Sequence, residues 1–174
     1  RLSQFDFQLE AVDAAIHFGQ PHWPGAELEF LMSETVVPAC SPQMWQQHQF
    51  AQPQDLMKAP LLHLTSRPDA WRRWFEHQGS RVSETPGMLL DQFATAAQAA
   101  TAGVGIALLP KFLITRELAN GDLVHALPGY PEMESAERYY LAWPSNRTDY
   151  PPLQVFRDWL KEAAASFMAQ AQQA

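Results

Sequence analysis

Apolar positions in this chain fall into short runs separated by stretches of helical period. Ile106-Ala107-Leu108-Leu109 is apolar throughout, which suits a strand buried on both faces. Leu61-Leu62-His63-Leu64 reads the same way with one histidine embedded, and Leu123 to Ala126 makes a further strand. Arg138 to Trp143 is an aromatic strand stopped by Pro144, and Val12 to Gly19 is a strand that ends at a glycine. Leu28 to Met32 alternates weakly. Thr35 to Cys40 is β-branched and then broken by Pro38, as an edge strand or crossing segment would be.

Helices alternate with these strands. Trp71, Trp74 and Phe75 stand at i, i+3, i+4, so a helix over residues 69–78 carries one buried stripe, with Asp69 as cap and Gly79 as its end. Residues 91–110 predict helix, turn, strand: Asp91 as N-cap, six alanines between Phe93 and Ala102, and Gly103 as the left-handed residue that closes the helix. Ser41-Pro42 opens a short helix, Pro53 a single turn, and residues 111–120 a helix ended by Gly121. The last helix opens at Pro151-Pro152, with Val155, Phe156, Trp159 and Leu160 as its apolar face and a fraying Ala/Gln-rich tail. The first residues, Arg1-Leu2-Ser3, read as the tail of a strand. The alternation is that of an α/β fold.

Composition narrows the function. A chain of 174 residues with net charge -7 and scattered cations has no basic face for nucleic acid. The single Cys40 excludes an internal disulfide and fits a reducing, cytoplasmic setting; it reads as a buried structural thiol. No apolar run approaches the ~18 residues of a membrane span. The six histidines, at 17, 22, 48, 63, 77 and 125, show no zinc spacing. No nucleophile elbow, phosphate loop, zincin or dinucleotide motif occurs, so neither a catalytic constellation nor a cofactor is expected.

Several stretches together carry a family resemblance. Glu10-Ala11-Val12-Asp13-Ala14-Ala15-Ile16-His17-Phe18-Gly19 is similar to E-x-V-D-x-A-I-R-x-G, and Val37-Pro38-Ala39-Cys40-Ser41-Pro42 to V-P-V-C-S-P. Trp23-Pro24-Gly25 falls between these two, and Leu61-Leu62-His63 and Trp71-Arg72-Arg73-Trp74 follow them, ahead of Gln98-Ala99-Ala100 to Leu108, which is similar to Q-A-A-x-x-G-x-G-V-A-L. In this order they resemble the effector-binding domain of LysR-type transcriptional regulators, nearest the glycine-cleavage-activator-like subgroup.

The resemblance implies a two-lobed, periplasmic-binding-protein-like α/β fold with two crossing strands. Lobe one would be residues 1–40 plus 136–174, and lobe two residues 41–135. Residues 36–40 and 138–142 would be the crossings, and the family's first strand and helix of lobe one would be missing. It implies a small-molecule effector, a homodimer or tetramer, and promoter DNA and RNA polymerase engaged only through an upstream winged helix-turn-helix. Phe93 stands where relatives often carry a small polar residue. A transport-type solute-binding protein and a two-lobed enzyme share the architecture and remain alternatives.

Ligands of open α/β sheets sit beyond the carboxyl ends of strands. Those ends here are Ser3-Gln4, Gln20 with Trp23, His63, and Asp91-Gln92-Phe93. The Gln20 amide donates and accepts, the helix start after Asp91 favours a carboxylate, and Trp23 and Phe93 offer an apolar sandwich. With the resemblance, the effector classes to be tested at these ends are an amino acid, an aromatic acid and a muropeptide.

Overall fold

The computed structural model describes residues 4–7 and 9–171. Along the chain come β1 (Ala15–Gly19), β2 (Ala26–Met32), β3 (Thr35–Cys40), α1 (Pro42–His48), a 3-10 turn (Pro53–Lys58), β4 (Leu61–Leu64), α2 (Ala70–His77) and β5 (Gly87–Leu90). Then follow α3 (Phe93–Thr101), β6 (Ile106–Pro110), a 3-10 turn (Lys111–Leu113), α4 (Thr115–Asn120), β7 (Val124–His125), β8 (Met133–Glu134), β9 (Arg138–Pro144) and α5 (Pro151–Ala171). The predicted strand tail at Arg1–Ser3 lies outside the described residues. The chain forms two compact units. Unit 1 runs to Glu34 and resumes at Glu134; unit 2 is Thr35–Met133. The passages therefore fall at 34/35 and 133/134, whereas the sequence expectation set them at 40 and 136.

Unit 1 is a three-stranded antiparallel sheet in the order β1-β9-β2. The aromatic strand β9 is central, with Ala142 opposite both Ala15 and Leu28. Its side chains alternate between faces. Ala142 packs on one face with Phe7 and Trp23, whereas Leu141 and Trp143 pack on the other with Leu153 and Leu160 of α5. The apolar face predicted for α5 is not the packed one. Val155 is 70% and Trp159 60% exposed, while Leu153 is buried.

Unit 2 holds a sheet in the order β5-β4-β6-β3-β7, with β8 also paired to β3. Strand β4 runs parallel to β5 and β6, and β3 runs antiparallel to β6 and β7. Both faces of β4 and β6 are covered, which is why these two strands read as apolar runs. The predicted stripe Trp71, Trp74 and Phe75 of α2 is buried on one face with Leu61, Ile106 and Leu108. On the other, Ala96 and Ala100 of α3 lie one turn apart and pack with Leu62, Leu64, Ala107 and Leu109.

Three local readings are corrected. Thr35–Cys40 is an interior strand rather than an edge. Pro38 is tolerated because its carbonyl, which accepts from Ala126 N at 2.8 Å, and its missing N–H face the side where β7 spans only two residues. The N-cap of α3 is Gln92, extended at φ -133, ψ 144, rather than Asp91. The single helix expected over residues 111–120 is broken at Ile114 into a 3-10 turn and α4. The closures hold as read: Gly103 is at φ +74, and Val104 N bonds Ala99 O while Gly103 N bonds Ala100 O, a Schellman motif. Ser41 caps α1 by accepting from Met44 N at 3.2 Å.

Candidate functional site

Each unit contributes a cluster at its strand ends. In unit 1, β1 ends at Gly19 and the chain turns through Gln20. The exposed Gln20 donates from Nε2 to Ala136 O at 3.5 Å, and its carbonyl oxygen lies 3.0 Å from His17 Nε2. Gln4 donates from Nε2 to His22 O at 2.6 Å. Trp23 is only 5% exposed, donates from Nε1 to Phe5 O, and its ring centroid lies 5.1 Å from each of Phe5 and Phe7. Its indole is thus a core element that holds the loop between β1 and β2, with a cavity of about 460 Å³ beside it also lined by Phe5, Val12 and Ile16. Ser3 lies outside the described residues.

In unit 2 the parallel pairing of β4 with β5 brings two strand ends together. Thr65 N donates to Leu90 O at 2.9 Å, so the turn after β4 sits beside the turn into α3. That turn carries Arg67, half-buried, whose guanidinium carbon stands 4.5 Å over the ring centroid of Phe93. Phe93 itself is half-buried against the α3 face of the sheet. Asp91 and Gln92 are exposed, and no side chain caps the first turn of α3. Its leading N–H groups, with the helix dipole behind them, point outward as anion donors next to a guanidinium and a ring.

His63 does not join that group. Residues of β4 alternate, and Leu62 and Leu64 share the α3 face with Phe93, while Leu61 packs on the α2 face. His63 therefore belongs to the α2 face. Burial holds its pKa below the ordinary value, against the opposing hydrogen bond to the Thr85 backbone, and its buried Nε2 has no hydrogen-bond partner. Among the candidates in unit 2, the structure groups Asp91, Gln92 and Phe93 and sets His63 apart. Arg67 is the residue that sequence reasoning missed. Its signal was a cation in the Ser-Arg-Pro-Asp turn between a buried strand and a helix.

No group of three or more His, Cys, Asp or Glu side chains among the described residues is arranged to hold a metal. Cys40 is fully buried, and burial raises its thiol to about 11, against the hydrogen bond of the Trp45 backbone, so it has no nucleophilic character. No helix among the described residues is long and apolar enough to cross a membrane.

Comparison with known proteins bears on what these clusters serve. The family model described as LysR substrate binding domain matches residues 5–165. The HTH-type transcriptional activator AmpR of Rhodobacter capsulatus is 33% identical over 156 residues, covering 90% of this chain and 52% of the relative. The glycine cleavage system transcriptional activator of Escherichia coli K12 is 31% identical over 165 residues, covering 94% and 53%. The chain thus spans about half the length of the curated relatives it matches. Among solved structures, the effector domain of the regulator AmpR of Pseudomonas aeruginosa superposes with a TM-score of 0.85 at 28% identity, covering all of this chain and 82% of that one. The AmpR effector binding domain of Citrobacter freundii gives 0.80 at 26% identity, covering 95% and 81%.

Proposed function

The chain belongs to the LysR substrate-binding domain family, and from that premise we propose that it is the small-molecule sensing part of a LysR-type transcriptional regulator. The effector we infer is a small aromatic acid or amino acid. The observation that carries this reading is the strand-end cluster of unit 2. The uncapped first turn of α3 and the Arg67 guanidinium are suited to a carboxylate, the Phe93 ring to an apolar body, and the exposed Asp91 to an ammonium group. Gln20 and Gln4 offer neutral amides at the strand ends of unit 1, where Trp23 keeps the Gln20 loop in shape. A peptide-bearing muropeptide offers the same carboxylate and amine and is a further test ligand.

In the whole regulator the same domain would assemble as a homodimer or tetramer in the cytoplasm, with promoter DNA and RNA polymerase engaged through a helix-turn-helix. The matched relatives, an HTH-type transcriptional activator and a glycine cleavage system transcriptional activator, favour this over a transport-type solute-binding protein.

A thermal-shift screen of amino acids, aromatic acids and muropeptides tests the reading. A ligand at 100 times its Kd adds about 2.7 kcal/mol, which raises Tm by roughly 5–10 °C in a domain of this size. Phe93→Ala and Arg67→Ala should each abolish most of that shift. A ligand whose stabilisation survives both substitutions would place the site elsewhere.

A further inference from the structure

The chain leaves unit 1 after Glu34 and returns to it at Glu134, and these passages are the two covalent links between the units. At this point unit 1 buries a carboxylate. Glu34 is 1% exposed, and both of its oxygens accept hydrogen bonds, Oε1 from Ser135 Oγ at 2.8 Å and Oε2 from Tyr139 OH at 2.8 Å. Ser135 N also donates to Glu34 O at 2.8 Å. A carboxyl group is retained in such a place only when its oxygens are satisfied by hydrogen bonds. One side chain therefore ties the outgoing passage to the returning one and to strand β9.

The tie continues to the ligand candidates of unit 1. Tyr139 pairs with Phe18 of β1, their ring centroids 4.7 Å apart. One residue beyond Ser135, the carbonyl of Ala136 takes the Gln20 amide at 3.5 Å, a bond at the limit of its length and easily given up to a competing acceptor. We propose that Glu34 is a positioning residue that couples the Gln20 loop to both chain passages, so that engagement of Gln20 by a ligand is felt at the two links through Ala136, Ser135 and the buried carboxylate. The ligand arm of this inference rests on the effector-sensing reading above; the coupling of the passages does not.

Hydrogen exchange separates the two. In the ligand-free protein, Ser135→Ala should raise exchange of the amides of residues 134–138 by about ten-fold, the effect of losing one hydrogen bond to a charged group. The amides of residues 33–37 and 19–21 should rise with them, while those of β4 and β6 stay unchanged. Tyr139→Phe should produce the same pattern, and the double variant less than the product of the two. If Glu34 only fills space, each substitution will loosen its own neighbours alone and the passage at residues 34–35 will keep its protection, which overturns the proposal. Glu34→Gln, which keeps shape and one acceptor oxygen, should give an intermediate loosening; no loosening at all counts against the proposal too. Failure of every acid in the thermal-shift screen would sink the sensing reading and leave this exchange result to stand or fall alone.

Discussion

Gly87 opens β5 and is the one position where the β4–β5 pairing depends on the absence of a side chain. A Cβ placed there would stand 2.0 Å from Leu61 O, and 2.8 Å from both Leu61 C and His63 Cδ2. An ordinary carbon–oxygen contact is about 3.3–3.6 Å, so the strands would have to part by more than ~1 Å. The Leu61 carbonyl is backbone and cannot yield as a side chain would. Overpacking of this kind costs about 1–3 kcal/mol. The upper limit is loss of the pairing of β5, which spans four residues, each backbone bond being worth roughly 1 kcal/mol. Gly87→Ala should therefore destabilise the domain by about 2–3 kcal/mol, a fall in Tm of roughly 4–12 °C. It should also open the surroundings of His63, so that its depressed pKa relaxes upward toward the ordinary histidine value.

The control is Gly121→Ala. Gly121 is at φ +77 with open space around its would-be Cβ, so only left-handed strain applies, about 1 kcal/mol. Urea unfolding followed by circular dichroism compares the two, and the His63 ring resonance reports its titration. If Gly87→Ala costs less than Gly121→Ala, the close approach of the strands does not carry the structural weight assigned to it.

Two further expectations concern titratable groups. At pH 8 a thiol raised to about 11 by burial is thiolate in about one molecule in a thousand. Cys40 should accordingly resist a disulfide reagent while the urea-unfolded chain labels completely; prompt labelling of the native protein would contradict its burial. Asp55 accepts from Lys58 Nζ at 2.7 Å and from the N–H groups of Ala51 and Gln52, with the lysine bond the largest cause of a pKa lowered from 3.8 to about 2. Its folded pKa is below its unfolded one, so its contribution is present above pH 4 and is lost as pH falls from about 4 toward 2. Asp55→Asn should flatten that acid limb of a stability–pH curve, and an unchanged limb would show that the carboxylate makes no such contribution.

Much of the fold was legible because its signals were local and redundant. The α2 stripe, the Gly79 and Gly103 closures and the Ser41 cap each rest on two or three neighbouring residues, and all are present. Strand β5 was not legible. Its residues Gly87, Met88 and Leu89 are exposed on a sheet edge, so no alternation marks them, and the only signal was a short apolar run after Pro86-Gly87. The candidate site was half legible for a related reason. The rule of strand ends found Gln20 and the start of α3, but it could not say which sheet face His63 occupies, because face is set by register rather than by proximity in sequence. Nor could it see that Asp91 is one residue too early to cap α3, since the backbone turns into the helix at Gln92.

Helix α5 shows where ranking by apolarity fails. At about 100° per residue, Val155, Phe156, Trp159 and Leu160 span one arc, while Leu153, Arg157, Leu160 and Ala164 span another, rotated by about 100° and sharing only Leu160. The first arc contains two aromatics, yet the second is packed. The reason lies on the sheet. Glu29 of β2 receives Lys161 Nζ at 2.8 Å and Arg157 Nε at 3.4 Å, and these partners, the lysine bond foremost, hold its carboxyl below the usual range. The Arg157 guanidinium carbon stands 3.9 Å over the Trp143 ring, and its side chain is 22% exposed. A glutamate at a half-buried position of β2, with cations at i and i+4 on the helix, was the available signal. A reading that admits one cation per turn to an inner face selects the packed arc; a reading that counts only apolar side chains must select the exposed one.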